Sequence, residues 1–374
     1  MFATVTDARA HLDDLGITEH ADRLLPLVRP CLRLFAAEAD RVGGTRTGGL
    51  PDLPAGIAWP LRSVPIDADE IVRLGGDNHS AWLESHVRKA LPYPFVAQID
   101  LGEIAQVRKG GGPSQISSTG LPTDGRLLFF YDYALGPWFD GVGAARVIWD
   151  RSPVSELAPR LVPAELVELH NSERAEHDRM VADPMSLVRG QPPGVVAIIE
   201  SSLQLGQTLE DYYREMATSM EFTSRYIFPA KPLAVASGLC WPSPSSIEAQ
   251  ADPAFSAVVA DEIIESFFEL SRPEGNRQGV RHILDGIPVP DQDDPRYTAA
   301  MLADADLSAM SKGDWPAAWQ IARTRAGDWQ LLLQVDMAGL LGGDLVEGIV
   351  CFLIQKDDLA RRDFDRVQAI YQQT

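Results

Sequence analysis

One pattern occurs twice in this chain, and it limits what the chain can fold into. Phe95-Val96-Ala97-Gln98-Ile99-Asp100-Leu101 returns as Leu331-Leu332-Leu333-Gln334-Val335-Asp336-Met337. Each copy is followed by a second apolar run, Arg126 to Tyr131 in one case and Gly348 to Ile354 in the other. A loop rich in Pro and Gly precedes each: Gly48 to Pro54, echoed by Leu284 to Pro290. Gly49 stands 49 positions before Gln98, and Gly286 stands 48 before Gln334. Loop, strand and spacing recur together, which is the mark of an internal duplication.

Short apolar runs bounded by turn residues read as strands. The expected fold class is α+β: two pseudo-repeated lobes of mainly antiparallel sheet with flanking helices. The expected division is an N-terminal helical segment (1–44), a first lobe (45–203) and a second lobe packed on it (204–374). In the first segment Thr6 or Asp7 can cap a helix that Gly16 ends, and Leu32, Leu34 and Phe35 form a short apolar stretch. Residues 48–60 hold three Pro and three Gly, so they form a rigid extended loop ending near Trp59. Further strands are expected at 145–150 and 195–200. Helices are expected at 254–270, after Asp314 and Thr208, and from Lys356 to the C-terminus.

Charge and cysteine content exclude some functions. A formal net charge of -20 repels phosphate backbones, so no nucleic acid is expected; the charge would suit a basic protein partner, while by itself it favours the plainer reading of an acidic protein with no special partner. No apolar run is long enough to span a membrane. The first residues lack the apolar segment of a signal peptide, so a cytoplasmic location is expected. The three cysteines, Cys31, Cys240 and Cys351, lack metal-ligand spacing and read as reduced core residues.

Catalytic signatures are absent: there is no Walker loop, His-Glu-x-x-His, Gly-x-Ser-x-Gly or Cys-x-x-Cys. His170, Glu173 and His177 would share a helix face, but in so charged a segment they read as a solvated face; no metal and no cofactor is expected. Gln98 with Asp100, and Gln334 with Asp336, point to one side of their strands. A polar pair on an apolar strand needs hydrogen bonds. The favoured reading is that each pair serves the backbone of its own Pro-rich loop, together with Asp52 and Trp59. The other reading is that they line a cleft. Tyr131, Asp132, Tyr133, Trp138, Phe139 and Asp140 leave a strand into a Gly-Pro turn; such residues suit a partner interface, and ordinary packing at the sheet edge is the favoured reading.

At these motifs the chain resembles the YwqG-like family of bacterial proteins. The matching segments are 48–60, 95–101, 125–133, 284–290, 328–336 and 356–367. Two departures are Gly342 to Gly348, which lacks the family's Trp, and Ile287, which replaces an aromatic. The resemblance implies a cytoplasmic α+β protein with no established enzymatic activity. Relatives are often encoded beside secreted toxins, which implies an immunity-type role. The expectation is therefore a non-enzymatic binding module that neutralises a basic partner or toxin. The alternative is a small-molecule-binding or hydrolytic protein whose cleft between the lobes uses Asp100 and Asp336.

Overall fold

The computed structural model describes residues 2–74, 80–110, 120–138, 142–189, 191, 193–204, 206–219, 221–260, 282–304, 306, 310–311, 313–341 and 348–373. Its strands are β1 (Arg29–Ala36), β2 (Arg46–Thr47), β3 (Asp52–Pro54), β4 (Phe95–Asp100), β5 (Arg126–Tyr131) and β6 (Ala145–Asp150). They continue with β7 (Leu157–Pro159), β8 (Lys231–Cys240), β9 (Ile283–Leu284), β10 (Trp329–Asp336), β11 (Ile349–Gln355) and β12 (Gln368–Gln372). Among the described residues, ten of these form one antiparallel sheet in the order β12-β11-β10-β9-β1-β8-β2-β4-β5-β6. β3 and β7 pair separately. The sheet curls until it is nearly closed, with helices outside, so the fold is α+β.

The repeat is visible bond by bond. β2-β4-β5-β6 and β9-β10-β11-β12 have the same order and the same pairings. β4 has a bulge between Phe95 and Ala97, and β10 has one between Leu331 and Leu333, at the matching place. Val96 O accepts from Gly48 N at 2.7 Å, and Leu332 O accepts from Asp285 N at 3.0 Å. Gly48 and Asp285 both have positive φ, 61° and 47°. Gly48 also lacks room, since a Cβ there would lie 2.1 Å from Pro229 O. Asp285 occupies the same bend with a residue type that tolerates it.

The opening strands are exchanged. β1 leads into β2 yet pairs with β9; β8 leads toward β9 yet pairs with β2. β1 and β8 pair with each other from Arg29↔Cys240 to Ala36↔Leu233. A pseudo-two-fold axis therefore passes between them. The main core crosses this boundary: Phe352 meets Phe129 at 5.0 Å and Tyr131 at 6.1 Å between ring centres. Each such buried ring contributes about 1.5–3 kcal/mol.

Several elements differ from expectation. Thr4 caps the first helix, Val5–Asp14, with Asp7 completing a capping box, so Thr6 is already inside it. Residues 29–36 form β1, because Pro26 and Pro30 end the helical stretch and the run then finds two strand partners. Residues 193–202 are a helix, not a strand; a six-residue apolar run does not distinguish the two, and Pro193 suits a first helical turn. At the C-terminus, Arg362 adopts a left-handed φ of 63° and ends the helix Lys356–Arg361; Gln368–Gln372 then pairs with β11. The expected helix at 254–270 begins as Pro253–Ala260, and residues 261–270 lie outside the described residues. Asp314 caps Trp315–Arg325 and Thr208 with Asp211 caps Leu209–Ser219, as the sequence implied.

Candidate functional site

The paired Gln residues serve their own loops. Gln98 Oε1 accepts from Asp52 N at 3.0 Å, and Gln98 Nε2 donates to Gly44 O and Asp52 Oδ2. Gln334 Oε1 accepts from Val289 N at 3.0 Å and Gln334 Nε2 donates to Val289 O. Both side chains are fully buried. Asp100 caps the helix Leu101–Lys109 through Gly102 N and Glu103 N, and it also meets Arg41 at 2.9 Å. Its backbone N–H donates to Thr45 Oγ1, just as Asp336 N donates to His282 Nδ1, both at 3.1 Å. Trp59 Nε1 donates to Tyr93 O and packs edge-on to Phe130.

His282 gives a testable difference between the halves. Burial, aided by the nearby Lys231, pushes its pKa down from 6.5 to about 3. A depressed histidine pKa means the neutral form is the folded one. Its contribution is complete above about pH 6.5 and is lost as pH falls toward 3, by up to about 1.4 kcal/mol per pH unit. His282→Thr copies the first half's Thr45 and keeps an acceptor for Asp336 N. Urea unfolding at pH 7 and pH 4.5 is expected to show a smaller acid loss in this variant. Equal losses would show that His282 is not the titrating group.

Part of the aromatic–acidic stretch packs inward, as the edge-packing reading has it. Tyr131 and Asp132 are buried, at 1% and 2% exposure. Tyr133 is half-buried against Tyr371, 5.9 Å between ring centres. Trp138 ends a short 3-10 turn, Gly136–Trp138, and Phe139 and Asp140 lie outside the described residues. Burial follows because β5 is flanked by β4 and β6, and its end meets Arg62 and His86. There Asp132 forms an ion pair with Arg62, 2.8 Å from Nε, and meets His86 Nε2 at 3.0 Å. Burial works to raise the Asp132 pKa, but the His86 and Arg62 charges outweigh it and hold the carboxyl below its usual range.

The helix Ala164–Ala182 also has a purpose on the face once read as solvated. Glu173 accepts from Ser224 Oγ, Arg225 N and Arg225 Nε, while His170 and His177 flank Phe222 at 5.3 and 5.6 Å. Among the described residues, no three His, Cys, Asp or Glu side chains converge as a metal site.

A cleft lies where the curled sheet nearly closes. The free edge of β6 faces the turn Phe364–Arg366, across which Arg146 meets Asp365 at 2.8 Å and Trp149 meets Phe364. Beside this seam is a cleft of about 750 Å³. Its floor is Ile57, Trp59, Tyr93 and Ile148, and its lip is Leu61, Val64, Pro65 and Ile66. Leu61 is 64% exposed and Ile66 fully so. Between them Arg62 turns inward with its side chain buried on Asp132, so an ion pair pins the apolar lip outward. Tyr93 donates to Gly143 O, and burial, with the Asp132 charge, pushes its pKa up to about 12. A phenol so held is no general base near neutral pH. This lip is not among the candidate residues picked out from the sequence. The available signal was four apolar residues in six after Pro60, lacking either helical or strand periodicity.

A family model described as a domain of unknown function (DUF1963) matches residues 45–372. No curated protein matches the chain.

Proposed function

The chain belongs to the DUF1963 family, and on that footing we propose that it is a non-enzymatic protein-binding module. Its cleft takes an apolar side chain from a partner whose flanking residues are basic. The observation that carries this reading is the exposed lip of Leu61, Val64 and Ile66 over an aromatic floor. Exposed apolar clusters rimmed by charge suit protein recognition. Asp67 lines the same cleft, as do Asp365 and its ion-pair partner Arg146, and a net charge of -20 steers basic partners toward the molecule. The finer resemblance to YwqG-like proteins supports an immunity-type role, in which a basic toxin is the partner. Asp100, the carboxylate of the hydrolytic alternative, is engaged as a helix cap and ion-pair partner.

Selection of a displayed random-peptide library on the purified chain tests this. The expected winners carry an aliphatic or aromatic residue beside Lys or Arg. Ile66→Asp is expected to weaken their binding at least tenfold without changing the unfolding midpoint, since Ile66 is fully exposed. Winners without that chemistry, or binding indifferent to Ile66→Asp, would overturn the proposal.

A further inference from the structure

The strand pair at the pseudo-two-fold axis carries two of the three cysteines. Cys31 lies opposite Gly238 and Cys240 lies opposite Arg29, so both thiols project from the same face of β1 and β8, one diagonal step apart. The aliphatic stem of Arg33 occupies the space over Gly238, and no side chain from that position separates the sulfurs. The neighbouring thiols influence each other: the presence of Cys31 lowers the pKa of Cys240, and that of Cys240 raises the pKa of Cys31, the burial of Cys31 adding to its rise. Cys31 is buried, whereas Cys240 is partly exposed at the last position of its strand, just before Trp241 and Pro242. The pair thus has the layout of a redox couple: Cys240, the thiol of lower pKa in a half-buried residue at a strand end, reacts first, and Cys31 resolves it.

We propose that Cys31 and Cys240 form a reversible disulfide when the chain meets a peroxide, tying together the two exchanged strands. The Cys240 sulfur attacks one peroxide oxygen; the O–O bond breaks, the peroxide is reduced to water, and Cys240 becomes a sulfenic acid. The Cys31 sulfur then attacks the Cys240 sulfur. The S–O bond breaks, and hydroxide leaves as water with the Cys31 proton. Two thiols and one peroxide yield one disulfide and two waters. Cys240 sits at a strand end, where the backbone can shift to the closer approach a disulfide requires. Cys351 is an internal control, since it is wholly buried beside Gln334 Oε1.

The test treats the intact chain with one equivalent of hydrogen peroxide, then unfolds it and counts thiols. The expected count falls from three to one, the mass falls by about 2 Da, and one cross-linked peptide pair contains Cys31 and Cys240. A thiol reductant restores all three. In Cys31→Ser, a dimedone probe is expected to trap the stalled sulfenic acid on Cys240. The proposal is overturned if the wild type keeps three thiols, if the cross-link joins chains instead of residues within one, or if Cys240 over-oxidises without pairing. The wild-type result decides the matter even if the variant folds poorly.

Discussion

Asp132→Ala is expected to destabilise the fold by roughly 3–5 kcal/mol, the cost of stranding a buried charge. Arg62 has no exposed side-chain surface, and Asp132 is its carboxylate partner at 2.8 Å. Its other donors already serve His86 O, Lys89 O and Ser63 O, so backbone contacts alone would have to hold the charge. His86 loses the same partner. For a chain this size the drop in Tm is expected to be about 4–6 °C. The consequence reaches the cleft, because Arg62 holds the lip between Leu61 and Val64. Peptide binding should therefore fall together with stability, although Asp132 touches no ligand. A thermal melt and a peptide titration on the same sample check both. A change of under 1 kcal/mol in unfolding energy would mean that Arg62 finds another anion.

The second large effect separates a single from a double substitution. Asp52→Ala is expected to cost roughly 3–5 kcal/mol, because it takes the buried carboxylate from Arg46 and leaves only the exposed Asp40 as its ion-pair partner. The Asp52 carboxylate meets Arg46 at 2.7 Å and also accepts from Gly43 N and Gln98 Nε2. At the matching positions the second half has Ile283 and Val289, which pack in an apolar cluster with Trp329 and Leu331. It folds the same loop with apolar side chains in place of the ion pair at these two positions. Gln334 simply turns its Nε2 to Val289 O. Arg46→Ile with Asp52→Val should thus recover most of the loss, finishing within about 2 kcal/mol of the wild type by urea unfolding. If the double variant is as unstable as the single one, the bond to Gly43 N, and not the charge, is the main contribution.

These cases mark what was legible in the sequence. Gln98 and Gln334 could be read because each is a polar residue within an apolar strand, and the nearest unsatisfied backbone belongs to the adjoining Pro-rich loop. Asp100 was equally readable as a structural group, though its service as a helix cap needed the helix that follows it. Asp132 could not be read. Its partners lie 70 and 46 positions away, and nothing in residues 131–140 reveals that β5 ends beneath them. β8 has the low contrast of Lys231-Pro232-Leu233-Ala234-Val235-Ala236-Ser237, where small residues blur any alternation. The strand Gln368–Gln372 is short, and it is settled by pairing with β11 more than by local preference. The cleft depends on the curling of the whole sheet, which no local pattern encodes.

The exchange of opening strands also bears on how this chain is made. β2 needs β8 as its neighbour, and 184 positions separate Thr47 from Lys231. At ordinary rates of synthesis, roughly 10–40 s pass between their emergence from the ribosome. Throughout that interval the nascent chain holds β1 and β2 with open edges, and β1 waits still longer for β9. Long-range pairings of this kind slow folding and leave strand edges open to wrong partners. A protein built this way completes its fold after release of much of its length, and its yield in the cell should depend on chaperones that shield those edges while translation continues.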